Sequence, residues 1–174
     1  MKERFFNSEK ILSLSAMFIS LCTLFVFVYQ TRLIREQQHM SVFPYLQMGN
    51  GGTNTPNYIY ALRNTGIGPA IITDIKVQRG KGKIFTDLNA YVKANKNPED
   101  TITYYHRNLH TGMLIPEKEV INIIELKKGK IEDGKKLFDI LNTSDLQIEI
   151  EYESIYGDKW KITNSKLVPE KLTK

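Results

Sequence analysis

Few residues in this 174-residue chain are spaced in a way that suits chemistry. His106 and His110 stand four apart, which in a helix would aim two ring nitrogens at one metal ion. Only three His occur, the third being His39, and no fixed Asp or Glu completes a ligand set. The pair therefore reads as surface histidines. Glu149, Glu151 and Glu153 step by two. Paired carboxylates can share acid–base work, but period two is also the solvated face of an amphipathic strand, with Lys159 and Lys161 as the expected cross-strand partners. Ser154 has no candidate base nearby, so no acyl-transfer triad is supported. Asn64-Thr65-Gly66-Ile67-Gly68-Pro69 resembles a phosphate loop only superficially. It lacks the third Gly and following helix of a dinucleotide fingerprint, and it lacks Gly-Lys-Ser/Thr. It reads instead as a structural turn, in which Asn64 caps, Gly66 and Gly68 supply backbone freedom, and Pro69 ends the bend. Asn142-Thr143-Ser144 matches a glycosylation acceptor by chance. No catalytic, cofactor-binding or metal site is expected, and no cofactor.

The elements that must carry these residues are organised around Ile11 to Tyr29, a run of 19 residues without charge, Pro or Gly. As a helix it would span roughly 30 Å, the hydrocarbon thickness of a bilayer. Lys10 bounds it on one side; Gln30, Arg32 and Arg35 bound it on the other. The run exceeds an ordinary signal-peptide core, and no small-residue cleavage site follows, so an uncleaved anchor is expected. The single cysteine, Cys22, lies inside this run, which excludes an intrachain disulfide. Lys2, Arg4 and Lys10 precede the run and Arg32 and Arg35 follow it. That slight excess leans toward a cytoplasmic N-terminus, leaving the side of the C-terminal domain open. The expected location is the plasma (inner) membrane, crossed once.

Ser13, Ala16, Ser20 and Thr23 step by three, four and three residues and so share one helix face. Small and hydroxyl residues let membrane helices approach closely, and this stripe is the candidate self-association face. After the run, good helix formers continue to about Gln38, and the Phe43-Pro44 step ends the helix.

The 134 residues beyond residue 40 suffice for one domain with its own core. Their net charge of +3 is mild and argues against a nucleic-acid partner. Alternating patterns predict strands at Phe43–Met48, Asn57–Asn64, Ala70–Arg79 (Ile71, Ile75 and Val77 on one face), Lys83–Phe85, Val120–Leu126, Leu146–Tyr152 and Trp160–Thr163. Gly49–Pro56 reads as a loop. Short helices are expected at Asp87–Ala94, with Asp87 as N-cap, and at Asp133–Asn142. The expected layout is a tail over 1–10, a transmembrane helix over 11–29, a juxtamembrane helix over 30–41, a domain over 42–165 and a frayed charged tail over 166–174. The fold class is mainly β: the anchor, then an immunoglobulin-like antiparallel β-sandwich with one or two short helices.

Val42, Pro44, Tyr45 and Leu46 form V-x-P-Y-L. Asn64, Gly66, Gly68, Pro69 and Ala70 form N-x-G-x-G-P-A between two strands. Tyr152, Ser154, Tyr156, Gly157 and Trp160 form Y-x-S-x-Y-G-x-x-W in a late hairpin. Together they resemble a diffuse group of uncharacterised small bacterial membrane-anchored proteins, and the resemblance implies a layout without a reaction. The expected function is a non-enzymatic, single-pass anchored protein whose β domain binds an unknown protein partner or supports a membrane assembly. The bilayer and a second copy, through the helix, are its other expected partners. The alternative is a membrane effector of a bacterial antiviral defence system, with a cytosolic sensing domain and an oligomerising helix.

Overall fold

The computed structural model describes residues 8–80 and 82–172. Two compact units are present, residues 1–41 and 42–174. In the first, one unbroken helix, α1, runs Ser8–Met40 and joins the expected anchor and juxtamembrane segments. It is long and apolar enough to cross a membrane, as a signal sequence would also be. None of its residues is buried. Four of its hydroxyls are satisfied within the helix: Ser13 donates to the Glu9 carbonyl at 2.9 Å, and Ser15 to Leu12, Thr23 to Ile19 and Thr31 to Phe27, each at 2.8 Å. Those four donors then need no water or neighbour, which suits an apolar surrounding. The expected tail over 1–10 lies mostly outside the described residues; Ser8, Glu9 and Lys10 are already helical.

The second unit is mostly β. Its elements are β1 (Leu46–Gly51), β2 (Ile59–Asn64), β3 (Ala70–Arg79), β4 (Lys83–Phe85), α2 (Leu88–Asn95), β5 (Tyr105–His106), β6 (Leu114–Ile115), β7 (Val120–Glu125), α3 (Ile131–Leu141), β8 (Leu146–Glu153), β9 (Lys159–Thr163) and β10 (Glu170–Leu172). They form two antiparallel sheets. Sheet I has the order β1-β2-β7-β5; sheet II has β10-β9-β8-β3-β4, with β6 also pairing β3. One core holds Tyr60, Leu62, Ile121 and Ile124 from sheet I together with Ile72, Val77, Ile148, Ile150 and Tyr152 from sheet II. Leu88, Tyr91 and Val92 of α2 and Leu137 and Leu141 of α3 join the same core. Asp87 caps α2 as its spacing predicts, its carboxylate accepting from the Ala90 amide at 2.7 Å.

Four strand-level expectations are corrected. β1 begins at Leu46, three residues late, because Phe43–Tyr45 is held by the turn after β2. It also runs on through Gly49 and Gly51, which lie opposite Ala61 and Ile59, so the loop starts after Gly51. In β3 a register shift between Ile72 and Asp74 moves the buried parity: Ile72 is buried and Ile71, paired with Glu153, is not. A bulge adds one residue and turns side chains to the opposite face. Finally, the tail does not simply fray: Glu170–Leu172 is β10, antiparallel to Lys159–Lys161.

Candidate functional site

Three regions of the β unit bring polar side chains together. The first is the turn Asn64–Pro69. Asn64 is 1% exposed. Its amide nitrogen faces the carbonyls of Gly68 at 2.8 Å and of Ile115 and Pro116 at 3.1 Å. Its side-chain oxygen accepts from the Gly66 amide at 3.1 Å and the Tyr45 amide at 3.2 Å. The Thr65 amide donates to the Tyr45 carbonyl and the Ile67 amide to the Phe43 carbonyl. A β-carbon on Gly66 would overlap the backbone of Phe43 and Tyr45, and one on Gly68 would overlap Val42. Only glycine allows this approach. The turn therefore clamps residues 42–45 onto the domain. The Asn64 side chain and the Thr65, Gly66 and Ile67 amides are all committed within the fold and are not available to a phosphate.

An aromatic stack closes the same segment. Trp160 is 5% exposed, with its ring 5.1 Å from Phe43 edge-on and 5.9 Å from Tyr152 in a stacked pose. The Tyr152 hydroxyl donates to the Pro44 carbonyl at 3.5 Å and accepts from the Leu46 amide at 3.4 Å. Burial pushes the Tyr152 phenol well above its ordinary pKa, with the Leu46 amide pulling the other way. Ser154 is buried, and its hydroxyl accepts from the Tyr156 amide at 3.2 Å in the hairpin turn. Gly157 sits at φ 78°, which that turn demands.

The second region is a cleft of about 200 Å³ floored by Ile75, Val77, Ile123 and Ile148 from both sheets. At its mouth Asn108 donates to the Asp87 carboxylate at 3.1 Å. His110 is also there, its Nδ1 lying 3.2 Å from the Thr111 carbonyl. His106 instead lies on β5 and borders a different depression. A strand and a loop do not reproduce helical i, i+4 geometry, so the two histidines do not converge. Among the described residues no group of three His, Cys, Asp or Glu is placed to hold a metal ion.

The third region is a contrast between the outward faces of the sheets. On sheet II, Lys76 reaches Asp74 at 3.0 Å and Glu149 at 3.6 Å, Lys161 reaches Glu149 at 3.4 Å and Lys159 reaches Glu153 at 4.0 Å. The three glutamates are thus part of a mostly paired solvated face. The Lys76 ammonium, hydrogen-bonded to Asp74, holds that carboxyl below its ordinary range. On sheet I the outward rows are Gln47–Arg63–Val120, Gly49–Ala61–Asn122 and Gly51–Ile59–Glu125–Tyr105. A depression of about 280 Å³ there is bordered by Tyr105, Arg107, Val120, Asn122, Glu125 and Lys127. Sequence reasoning did not single out Arg63 or Arg107. The available signal was the lack of any acidic residue on β1, β2 or β5 to oppose them.

The helix stripe Ser13, Ala16, Ser20 and Thr23 is exposed along α1 and belongs to none of these regions. No protein-family model matches this chain, and no curated protein matches it significantly.

Proposed function

We propose that the chain is a non-enzymatic, single-pass anchored protein of the plasma membrane, whose β domain binds a protein partner or braces a membrane assembly. The observation that carries this reading is α1. It is a 33-residue helix with no buried residue, and Leu12, Phe18, Phe25 and Phe27 are among its exposed side chains. Such a surface is unfavourable in water at about 25 cal/mol per Å² and favourable in lipid. The next unit has its own core, so the helix is not needed to complete it. The slight basic excess before the apolar run supports a cytoplasmic N-terminus. The clamp at Asn64 supports an anchoring role, because it ties the residues that follow the helix into the domain.

Within this reading the two sheets form an immunoglobulin-like sandwich, supported by the chain passing repeatedly between them. Copies associate through Ser13, Ala16, Ser20 and Thr23. The Ser13 and Thr23 hydroxyls already donate within their own helix, so close backbone approach at Ala16 and Ser20 is the main attraction. The reading is tested by fractionation: full-length protein with its N-terminus intact should stay in the membrane pellet after carbonate washing. Recovery in the soluble fraction, or a mature N-terminus near residue 30, defeats it. Protease accessibility in spheroplasts then assigns the side.

A further inference from the structure

We infer that the outward face of sheet I is the partner-binding face, and that its occupant is an acidic segment of a protein, held by Arg63 and Arg107. This deepens the reading above by naming the surface and the chemistry of the partner.

The argument begins with charge. Glu125 is the only acidic residue on β1, β2, β5 or β7. It is already committed: Lys127 lies 3.4 Å from one carboxylate oxygen and Asn122 donates to the other at 3.1 Å. Arg63 and Arg107 have no side-chain hydrogen bond or ion pair to any described residue. An arginine fork that gains nothing within its own fold is available to a carboxylate, which it matches with two parallel hydrogen bonds.

Shape follows from the same rows. Gly49 and Ala61 form a low middle row between the rows of Arg63 and Ile59. Arg63 leans along the sheet, its Nη2 3.9 Å from where a β-carbon on Gly51 would lie. The guanidinium therefore lies over the sheet rather than standing free in solvent. Toward the opposite edge of the sheet, Val120 on β7 is 47% and Tyr105 on β5 is 64% exposed, an aliphatic and an aromatic contact bordering the same depression as Arg107 and Lys127. Aromatic and arginine side chains dominate protein-binding surfaces. An anionic bilayer is the less suitable occupant. Surfaces that read lipid headgroups carry about four to eight clustered Lys and Arg, whereas this face carries only Arg107 and Lys127 at one depression and Arg63 apart from them toward β1.

The test uses the full chain in detergent micelles and a fluorescent poly-glutamate peptide, with a poly-lysine peptide and phosphatidylglycerol vesicles as comparison probes. Arg63→Gln with Arg107→Gln should weaken poly-glutamate binding about tenfold or more, the scale of losing charge-assisted bonds, while leaving the melting temperature unchanged. The control, Lys76→Gln with Lys161→Gln on sheet II, should leave binding within about twofold, since those lysines are held by their own carboxylates. The inference is overturned if the intact chain does not bind poly-glutamate. It is equally overturned if the control pair loses as much affinity as the arginine pair, or if vesicles bind through the same arginines more tightly than the peptide. Binding in micelles does not depend on membrane residence, so a soluble protein in the fractionation test would defeat the anchor and leave this result standing.

Discussion

The two sheets share one core but present opposite kinds of outer face. Sheet II is covered by a lattice in which Lys76 and Lys161 both meet Glu149 and Gln78 meets Gln147. Sheet I presents Gly49, Gly51, Arg63 and Arg107, and the only acidic residue on its described strands, Glu125, is taken by Lys127. A paired lattice has its charges answered and offers a partner little. A bare face with uncompensated arginines leaves that interaction to something outside the fold. Both sheets grip residues 42–45, sheet I through the buried hydrogen bonds of Asn64 and sheet II through the Trp160 and Tyr152 rings.

The largest expected effect tests which sheet gives way first at alkaline pH. Burial raises the phenol pKa of Tyr58 and Tyr60, beside and on sheet I, and of Tyr152 on sheet II. An acid whose folded pKa is raised contributes stability that is complete below its unfolded pKa. That stability is lost as pH climbs from about 10 toward the folded value. Ultraviolet difference absorbance should therefore show these tyrosinates appearing together with unfolding. Ionisation of all three while near-ultraviolet dichroism persists would show that their burial is shallow.

Next come the two anchoring devices. Trp160→Ala should destabilise the protein by about 3–5 kcal/mol, as loss of a buried aromatic does. Asn64→Ala should cost about 3 kcal/mol, because it strands several buried backbone groups at about 1–3 kcal/mol each. Chemical denaturation measures both. A cost below about 1 kcal/mol at Asn64 would mean that water replaces the side chain, and sheet I would then depend on core packing alone.

Smaller effects separate the outer faces. Lys161→Gln should cost about 0.2–1 kcal/mol and lose that effect in high salt, as an exposed pair does. Arg63→Gln should change stability by less than about 0.5 kcal/mol, since the side chain has no polar partner. Equal costs at both positions would erase the contrast between the faces. Smallest of all is a titration. The Asp74 carboxyl should titrate below the ordinary carboxylate range by nuclear magnetic resonance and return toward it in Lys76→Gln, because the Lys76 hydrogen bond is the leading cause of its shift. Its contribution to stability is present above the unfolded carboxyl pKa and fades as pH falls through the folded one.

Much of the fold was legible in local pattern. The uncharged run Ile11–Tyr29 is one helix because nothing in it interrupts the hydrogen-bond ladder. Leu146, Ile148, Ile150 and Tyr152 alternate with charged residues and are buried as that alternation requires. Asp87 had the side chain and the spacing of a cap. These features depend on residues within one helical turn or one strand, so the amino-acid order alone determines them. The tertiary structure decided what depends on distant partners. The bulge at Ile72–Asp74 arises from pairing β3 with β8 and moves burial from Ile71 to Ile72. β10 exists because β9 offers it an edge. The Asn64 turn carries its glycines because the backbone of Val42–Tyr45 passes against them, some twenty residues earlier in the chain. Which arginines lack a counterpart was decided only when strands from separate parts of the sequence lay side by side, since charge pairing is a property of neighbours in space.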